Sequence, residues 1–265
     1  MSHAPPNPAV LSRLYLNAVL PCLDDLSAQD PVAQSILGDT HASIVIRIAG
    51  GPAASLCFRS GRVSWKQGND RAPSVVLLFF SDSHLNAFFS GKKWALPLPL
   101  WGGWRAGLLG RFAKLAERLE AVLDGSASVL ASADGRRLHA RLSLIAAGLG
   151  LHPLAQGDSA ARNMLRALPL GLASFRIQGE QRATVWFDHD SRDGAAGWCD
   201  PPRMPEVCIV FDDVEIAFAA LREEIDTFAA IGAGQIRVDG LVPLADGLNA
   251  VMQRLRIYLK PQEPV

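Results

Sequence analysis

The sequence predicts an α+β fold: two repeated modules, each a mostly antiparallel or mixed sheet of about five strands covered by helices. Three observations carry this. Five short segments recur in the same order in the two halves of the 265-residue chain. Within each half, a helical period gives way to strand-like runs and then returns. Between the halves lies "DGSASVLASADG", Asp124 to Gly135, which is small, polar and turn-rich.

"RLYL" at Arg13 returns as "RLSL" at Arg141, and "DPVAQSIL" at Asp30 as "DSAARNML" at Asp158, both at an offset of 128. "ASIVIRI" at Ala42 returns as "ASFRI" at Ala173, offset 131, and "PSVVLLFFSD" at Pro73 as "PEVCIVFDD" at Pro205, offset 132. "RLEAVL" at Arg118 returns as "RLRIYL" at Arg254, offset 136. Small loop insertions after a duplication leave an offset that only grows. The expected domains are 1–126 and 127–265.

One series of elements serves both halves. Leu11, Leu14, Tyr15, Ala18, Val19 and Cys22 sit at helical spacing, and the counterpart runs from about Asp134 to Gly150. Asp30 is a natural N-cap with Pro31 at the first helical position, and Asp158 caps the second copy. "SIVIRI" alternates Ile44, Ile46 and Ile48 against Val45 and Arg47, giving one aliphatic face. "AASLCFRSGRVSW" reads as a hairpin about a Ser-Gly turn. "SVVLLFF" is a continuous apolar run, expected to be a central strand buried on both faces. A helix follows from Asp82 to near Gly91. The last helix, "GLLGRFAKLAERLEAVL", lines up Leu108, Leu109, Phe112, Leu115, Leu119 and Val122.

Composition narrows the function. Lys plus Arg number 26, as do Asp plus Glu, so no net field draws the chain to nucleic acid and no such partner is expected. "MSHAPPNPAV" has no basic run before an apolar segment, so no signal peptide is expected. The longest charge-free stretch that could pass for a span, Leu142 to Gly157, is 16 residues and holds His152 and Pro153. A bilayer needs roughly 20. The expected location is cytoplasmic.

Catalytic and metal signatures are sparse. Cys22, Cys57, Cys199 and Cys208 form no CxxC pair and read as small buried hydrophobes in a reducing compartment. His189, Cys199 and Cys208 match no usual zinc spacing. "DHDSRDG", Asp188 to Gly194, places its glycine one position late for a calcium loop and reads as a hairpin tip. GxSxG, HExxH and Walker patterns are absent, and the glycines of "GAGQIRVDG" do not fit GxGxxG. His84 and His139 read as structural. The expectation is no metal, no cofactor and no enzyme.

The second half closes with "MPEVCIVFDDVEIAFAALREEIDTFAAIGAGQIRVDGLVPLADGLNAVM", Met204 to Met252. A Pro-led apolar strand leads to an acidic helix start and a helix, then to a strand, "GQIRVDG" (Gly234 to Gly240), and a last helix. In this order it resembles the sterol carrier protein 2 lipid-binding family. The first half resembles it too, with Pro73 to Asp82 as strand and helix start. The resemblance implies a sheet with helices on one side, enclosing an apolar tunnel that holds lipids, and no fixed polar catalytic set. By position it implies a tunnel wall of Phe88, Trp94, Leu98, Trp101, Trp104, Leu108, Phe112 and Leu115 in the first half. The second half would supply Phe218, Phe228, Ile231, Ile236, Leu248 and Met252. The implied function is non-enzymatic binding or carrying of an apolar small molecule: a sterol, fatty-acyl chain, quinone or similar lipid. The alternative is a protein-interaction or assembly factor in a lipid or quinone pathway, without a free cavity.

"KKWALPLPLWGGWR", Lys92 to Arg105, breaks the repeat. It holds three of the six tryptophans and no acid. Set against "DTFAAIGAGQIRVDG", Trp94 falls on Asp226, Trp101 on Ala233 and Trp104 on Ile236. Leu-Pro-Leu-Pro-Leu cannot be helix and is a poor central strand, so it is an extended edge or a loop. Three readings of the rings stay open. They close the core of repeat one or its contact with repeat two; they line a ligand cavity; or they dock on a membrane. Lys92, Lys93, Arg105, Arg111, Lys114 and Arg118 surround them, opposed by Glu117 and Glu120. Residues 1–132 carry 12 basic and 9 acidic side chains, residues 133–265 carry 14 and 17. The expected partners are an apolar small molecule, a peripheral membrane contact near Lys92–Arg111, and a protein of the same pathway.

Overall fold

The computed structural model describes residues 7–180, 182–190 and 194–259. The chain divides between Ala121 and Val122 into two compact units. In the first, α1 (Pro8–Leu14), a π turn (Tyr15–Val19), α2 (Cys22–Gln29) and α3 (Pro31–Leu37) precede four strands. These are β1 (Ala42–Ile48), β2 (Ala53–Arg59), β3 (Arg62–Gln67) and β4 (Val75–Phe79). Then come α4 (Asp82–Phe89), β5 (Leu98–Trp101) and α5 (Ala106–Leu123), whose last turn holds the division. In the second, α6 (Ala127–Leu130), α7 (Ala133–Gly157) and α8 (Ser159–Arg166) precede β6 (Leu172–Ile177), β7 (Thr184–Asp188), β8 (Ala195–Trp198) and β9 (Val207–Phe211). They are followed by α9 (Val214–Leu221), α10 (Thr227–Gly232), β10 (Ile236–Gly240) and α11 (Val242–Leu259).

The first sheet has the order β3-β2-β1-β4-β5 and the second β8-β7-β6-β9-β10. In each, one pair is parallel, β1 with β4 and β6 with β9, and the other neighbours are antiparallel. Two mixed five-stranded sheets of one topology, covered by helices, make the α+β class read from the sequence. In the first unit α2 packs on β3, the π turn on β2 and α4 on β4; in the second α7 lies on β6, β7 and β8, and α11 on β9 and β10.

Local chemistry sets most element ends. Asp30 accepts from the Val32 N–H at 3.1 Å and Asp158 from the Ala161 N–H at 2.7 Å, capping α3 and α8. Ser81 and Asp213 cap α4 and α9, accepting from His84 and Ile216. Ser60 and Gly61 both take positive φ, +45° and +74°, the geometry a two-residue hairpin requires between β2 and β3. The first expected helix is interrupted. The Leu20 N–H reaches back five residues to Tyr15 O, a π turn directly ahead of Pro21, which has no N–H to give. Its counterpart α7 runs on through Pro153 to Gly157, beyond the Gly150 end expected.

Two sequence expectations need correction. Val76 and Leu78 are only half-buried, so β4 is covered fully on one face, not both. The strand alignment of Ala42 with Ala173 is also displaced. Ser74 N donates to Ser43 O at 3.0 Å, and Glu206 N donates to Leu172 O at 2.9 Å. Ser43 therefore matches Leu172, and Ile44 matches Ala173. A two-residue slip keeps every side chain on its own face, so the apolar alternation could not detect it.

One ion pair recurs. Arg118 of α5 donates to Asp30 at 2.7 Å, and Arg254 of α11 donates to Asp158 at 2.8 Å and 3.1 Å. Each joins the final helix of the series to a buried cap. Among the described residues no helix is long and apolar enough to cross a membrane.

Candidate functional site

The Leu-Pro-Leu-Pro-Leu segment, residues 96–100, leads into the outer strand of the first sheet, β5. β5 pairs with β4 alone, Leu98 opposite Leu78, Pro99 opposite Leu77 and Trp101 opposite Val76, with a register shift between the last two. All four of its residues, Leu98, Pro99, Leu100 and Trp101, are exposed. Both faces of the strand thus meet solvent, which is unusual for leucine and tryptophan on a sheet edge.

At one end of this edge Phe80, His84 and Trp94 form a stack. Ring centroids are 5.5 Å apart for Phe80 and His84 and 6.4 Å for His84 and Trp94, with nearly parallel planes. The Phe80 N–H donates to His84 Nδ1 at 3.2 Å, fixing the imidazole between its neighbours. At the other end Trp101 meets Trp104 edge to face at 5.2 Å. Trp94, Trp101 and Trp104 are 71%, 57% and 72% exposed. At roughly 150–250 Å² per ring, these three alone show about 300–500 Å² to solvent, the scale of the largest apolar patch on an ordinary monomer. Phe80, Leu96 and Leu100, which the sequence reading did not select, belong to the same exposed set.

The wall implied by resemblance is divided by the structure. Trp94, Leu98, Trp101 and Trp104 are at the surface, as are Phe228 and Ile231 of α10. Phe88 and Met252 are half-buried. Leu108, Phe112 and Leu115 of α5, with Phe218, Ile236 and Leu248, are core residues. Leu115 and Leu248 have 0% accessible surface, so neither borders a space that admits a water molecule.

The tryptophan alignment is corrected by the strand pairing. Trp101 faces Val76 of β4, while Asp239 faces Cys208, the residue of β9 matched to Val76. Trp101 therefore corresponds to Asp239, not Ala233. Gly102 confirms it. A Cβ there would stand 2.1 Å from Ser74 O, and one on Gly240 would stand 2.1 Å from Glu206 O. Trp104 has no counterpart in Ile236: three residues separate Gly102 from α5, and one separates Gly240 from α11.

Charge differs sharply between the two edges. From Ser83 to Ala116 there are five basic residues, Lys92, Lys93, Arg105, Arg111 and Lys114, and no acid. All five are exposed. Arg111 is tied to Leu37 O and Thr40 Oγ1. In the second unit the matching region holds Glu215, Glu223, Glu224, Asp226, Asp239 and Asp246 against Arg222 and Arg237.

The residues considered for metal are apart. Cys208 lies on β9 and Cys199 just past β8, three strand spacings away, or roughly 14 Å. The Ser174 hydroxyl donates to Cys208 Sγ at 3.1 Å. Ser191, Arg192 and Asp193 of the Asp188–Gly194 segment lie outside the described residues. Among the described residues, no three His, Cys, Asp or Glu side chains gather as a metal cage. His139 Nδ1 donates to Val122 O at 2.7 Å, and the ring packs edge-on against Phe218. Burial holds its imidazole below the usual histidine range.

No family model matches the chain. No curated protein matches it. Among solved structures, the solution structure of sterol carrier protein domain 2 of Helicoverpa armigera is similar over 43% of this chain and 87% of its own, with 14% identity and a TM-score of 0.31. Sterol carrier protein 2 of Yarrowia lipolytica, in its apo form, is similar over 38% of this chain and 92% of its own, with 11% identity and a TM-score of 0.29.

Proposed function

We propose that the chain binds an apolar small molecule of the sterol, fatty-acyl or quinone kind and catalyses no reaction on it. One observation carries the reading. In both units, the segment between the helix after the second parallel strand and the outer strand turns large apolar side chains to solvent. These are Trp94 and Leu96 in the first and Phe228 and Ile231 in the second. Such side chains in the same connection of both units argue for an apolar occupant. A ligand burying roughly 400 Å² gains about 10 kcal/mol, and association costs about 4–15 kcal/mol. The balance is weak to micromolar binding, which suits a carrier that releases its load.

The second reading is an assembly factor that meets a protein partner through the same fold. The filled core around Leu115 and Leu248 favours it, because those positions offer a ligand no room. Native mass spectrometry of the purified chain separates the two, with retained lipid expected under the first. Titration with a fluorescent fatty acid should report on Trp101 and Trp104. Alanine at each weakens binding by about 1–3 kcal/mol, the scale of one buried apolar side chain. The melting temperature stays nearly unchanged, because substitutions at exposed sites usually fall within about 0.5 kcal/mol. No retained lipid, together with an unaltered tryptophan signal, would remove the carrier reading.

A further inference from the structure

We infer that the outer edge of the first sheet is a docking surface for an anionic bilayer. The inference concerns where the chain sits and stands independently of whether it carries a small molecule. Four features of the edge point to lipid. The tryptophans are exposed together with Leu96, Leu98 and Leu100, and indole rings favour the headgroup boundary, where one side is apolar and the other wet. Lys92, Lys93 and Arg105 bracket the strand, and the 34 residues from Ser83 to Ala116 contain no acid to repel a negative surface. Pro97 and Pro99 have no N–H. An ordinary outer strand entering lipid would take unpaired donors with it, and this one carries fewer.

The fourth feature is the contrast between units. The topology is the same, yet Asp239 stands where the first unit has Trp101, and Glu223, Glu224 and Asp226 stand just after α9, where the first unit has Gly91, Lys92 and Trp94. Both edges carry an exposed ring and basic side chains, but only the first does so with no acid among them.

The same features disfavour a protein occupant. Strand addition needs a continuous ladder of donors and acceptors, and Pro99 within β5 interrupts it. A second copy meeting edge to edge would bring two uncompensated basic clusters together.

The test is sedimentation of the whole chain with vesicles of phosphatidylcholine alone and of phosphatidylcholine mixed with phosphatidylserine. The chain should sediment with the mixed vesicles, and added salt should release it. Lys92→Gln and Lys93→Gln should each weaken that binding about fivefold. Trp101→Ala with Trp104→Ala should abolish it, while Phe228→Ser in the second unit should leave it intact. Brominated phospholipid in the vesicles should quench tryptophan emission in the native chain and much less in the double tryptophan variant. Circular dichroism of each variant keeps the comparison to folded protein. Equal binding to both vesicle types, binding unaffected by the lysine substitutions, or no binding at all would overturn the inference. Retention of a free fatty acid without vesicle binding would overturn it and leave the carrier reading standing; vesicle binding without a retained or bound free lipid would do the reverse.

Discussion

Alanine at Gly102 or at Gly240 lowers stability by about 2–5 kcal/mol, the sum of a strained backbone and an overpacked contact. Both glycines have positive φ, +71° and +107°. Both would also place a new Cβ 2.1 Å from a main-chain oxygen, that of Ser74 or of Glu206. A side chain could swing away from such a contact, but a carbonyl at the mouth of a strand cannot. Ser74 N is held by Ser43 O, and Glu206 O already accepts from the Leu241 N–H at 2.9 Å. Relief therefore displaces the start of β4 or β9, the strand on which the outer strand hangs. Gly110, within α5, is the control: nothing lies within 4 Å of its added Cβ. Alanine there should stabilise by about 0.5–1 kcal/mol, the ordinary helical gain over glycine. Urea denaturation of the three variants measures all of this. An unchanged midpoint for Gly102→Ala would refute the close approach, and a loss at Gly110 would refute its open surroundings.

That pair of glycines also explains what the sequence showed and what it concealed. Caps, turn and apolar runs are local, and they were legible. Asp30 before Pro31, Asp158 before Ser159, Ser60-Gly61 and "SVVLLFF" each act through residues a few positions away. The outer edge depends on two length changes of opposite sign and unequal size. The second unit inserts α10, Thr227–Gly232, ahead of its outer strand. The first adds two residues between Gly102 and α5. Comparison at a nearly constant offset therefore set Trp101 on Ala233. Matching "WG" at Gly102 to "DG" at Gly240, each just before a final helix, would have given the strand-paired alignment.

The site was legible in chemistry more than in position. Two prolines among leucines predicted an outer strand or loop, and β5 is an outer strand. Which apolar residues face solvent was not local information. Leu108, Phe112 and Leu115 share a stripe on α5 that covers the core, while Leu98 and Trp101 sit on a strand with one neighbour. Periodicity marks both as apolar; only the packing partner separates wall from surface. Phe80 was absorbed into the β4 run, although Ser81 directly after it caps α4 and ends the strand there.

Asp158→Ala should cost about 3–5 kcal/mol, the scale of breaking a buried ion pair. Asp158 is 5% exposed, and its carboxylate accepts four hydrogen bonds: from the Ala161 N–H, from Nε and Nη2 of Arg254, and from the Tyr258 hydroxyl at 2.7 Å. Losing the N-cap bond accounts for about 1 kcal/mol of this; the remainder comes from taking the carboxylate away from a largely covered guanidinium. Asn at the same place keeps the cap and restores part of the loss, because its amide oxygen still accepts from Ala161. The carboxylate also makes the fold acid-sensitive. Burial alone would raise the Asp158 carboxyl, but hydrogen bonds from Arg254, the Ala161 N–H and Tyr258 outweigh it and hold it below the usual carboxylate range. A carboxyl more acidic when folded adds stability that is complete above its unfolded pKa, near 3.9. That contribution drains away as pH falls through the lower folded value. Denaturation midpoints measured from neutral pH down into that range should therefore fall more steeply for the native chain than for Asp158→Asn, which has no proton to gain. Parallel pH curves for the two proteins would show that the ion pair with Arg254 does not hold the final helix to the cap of α8.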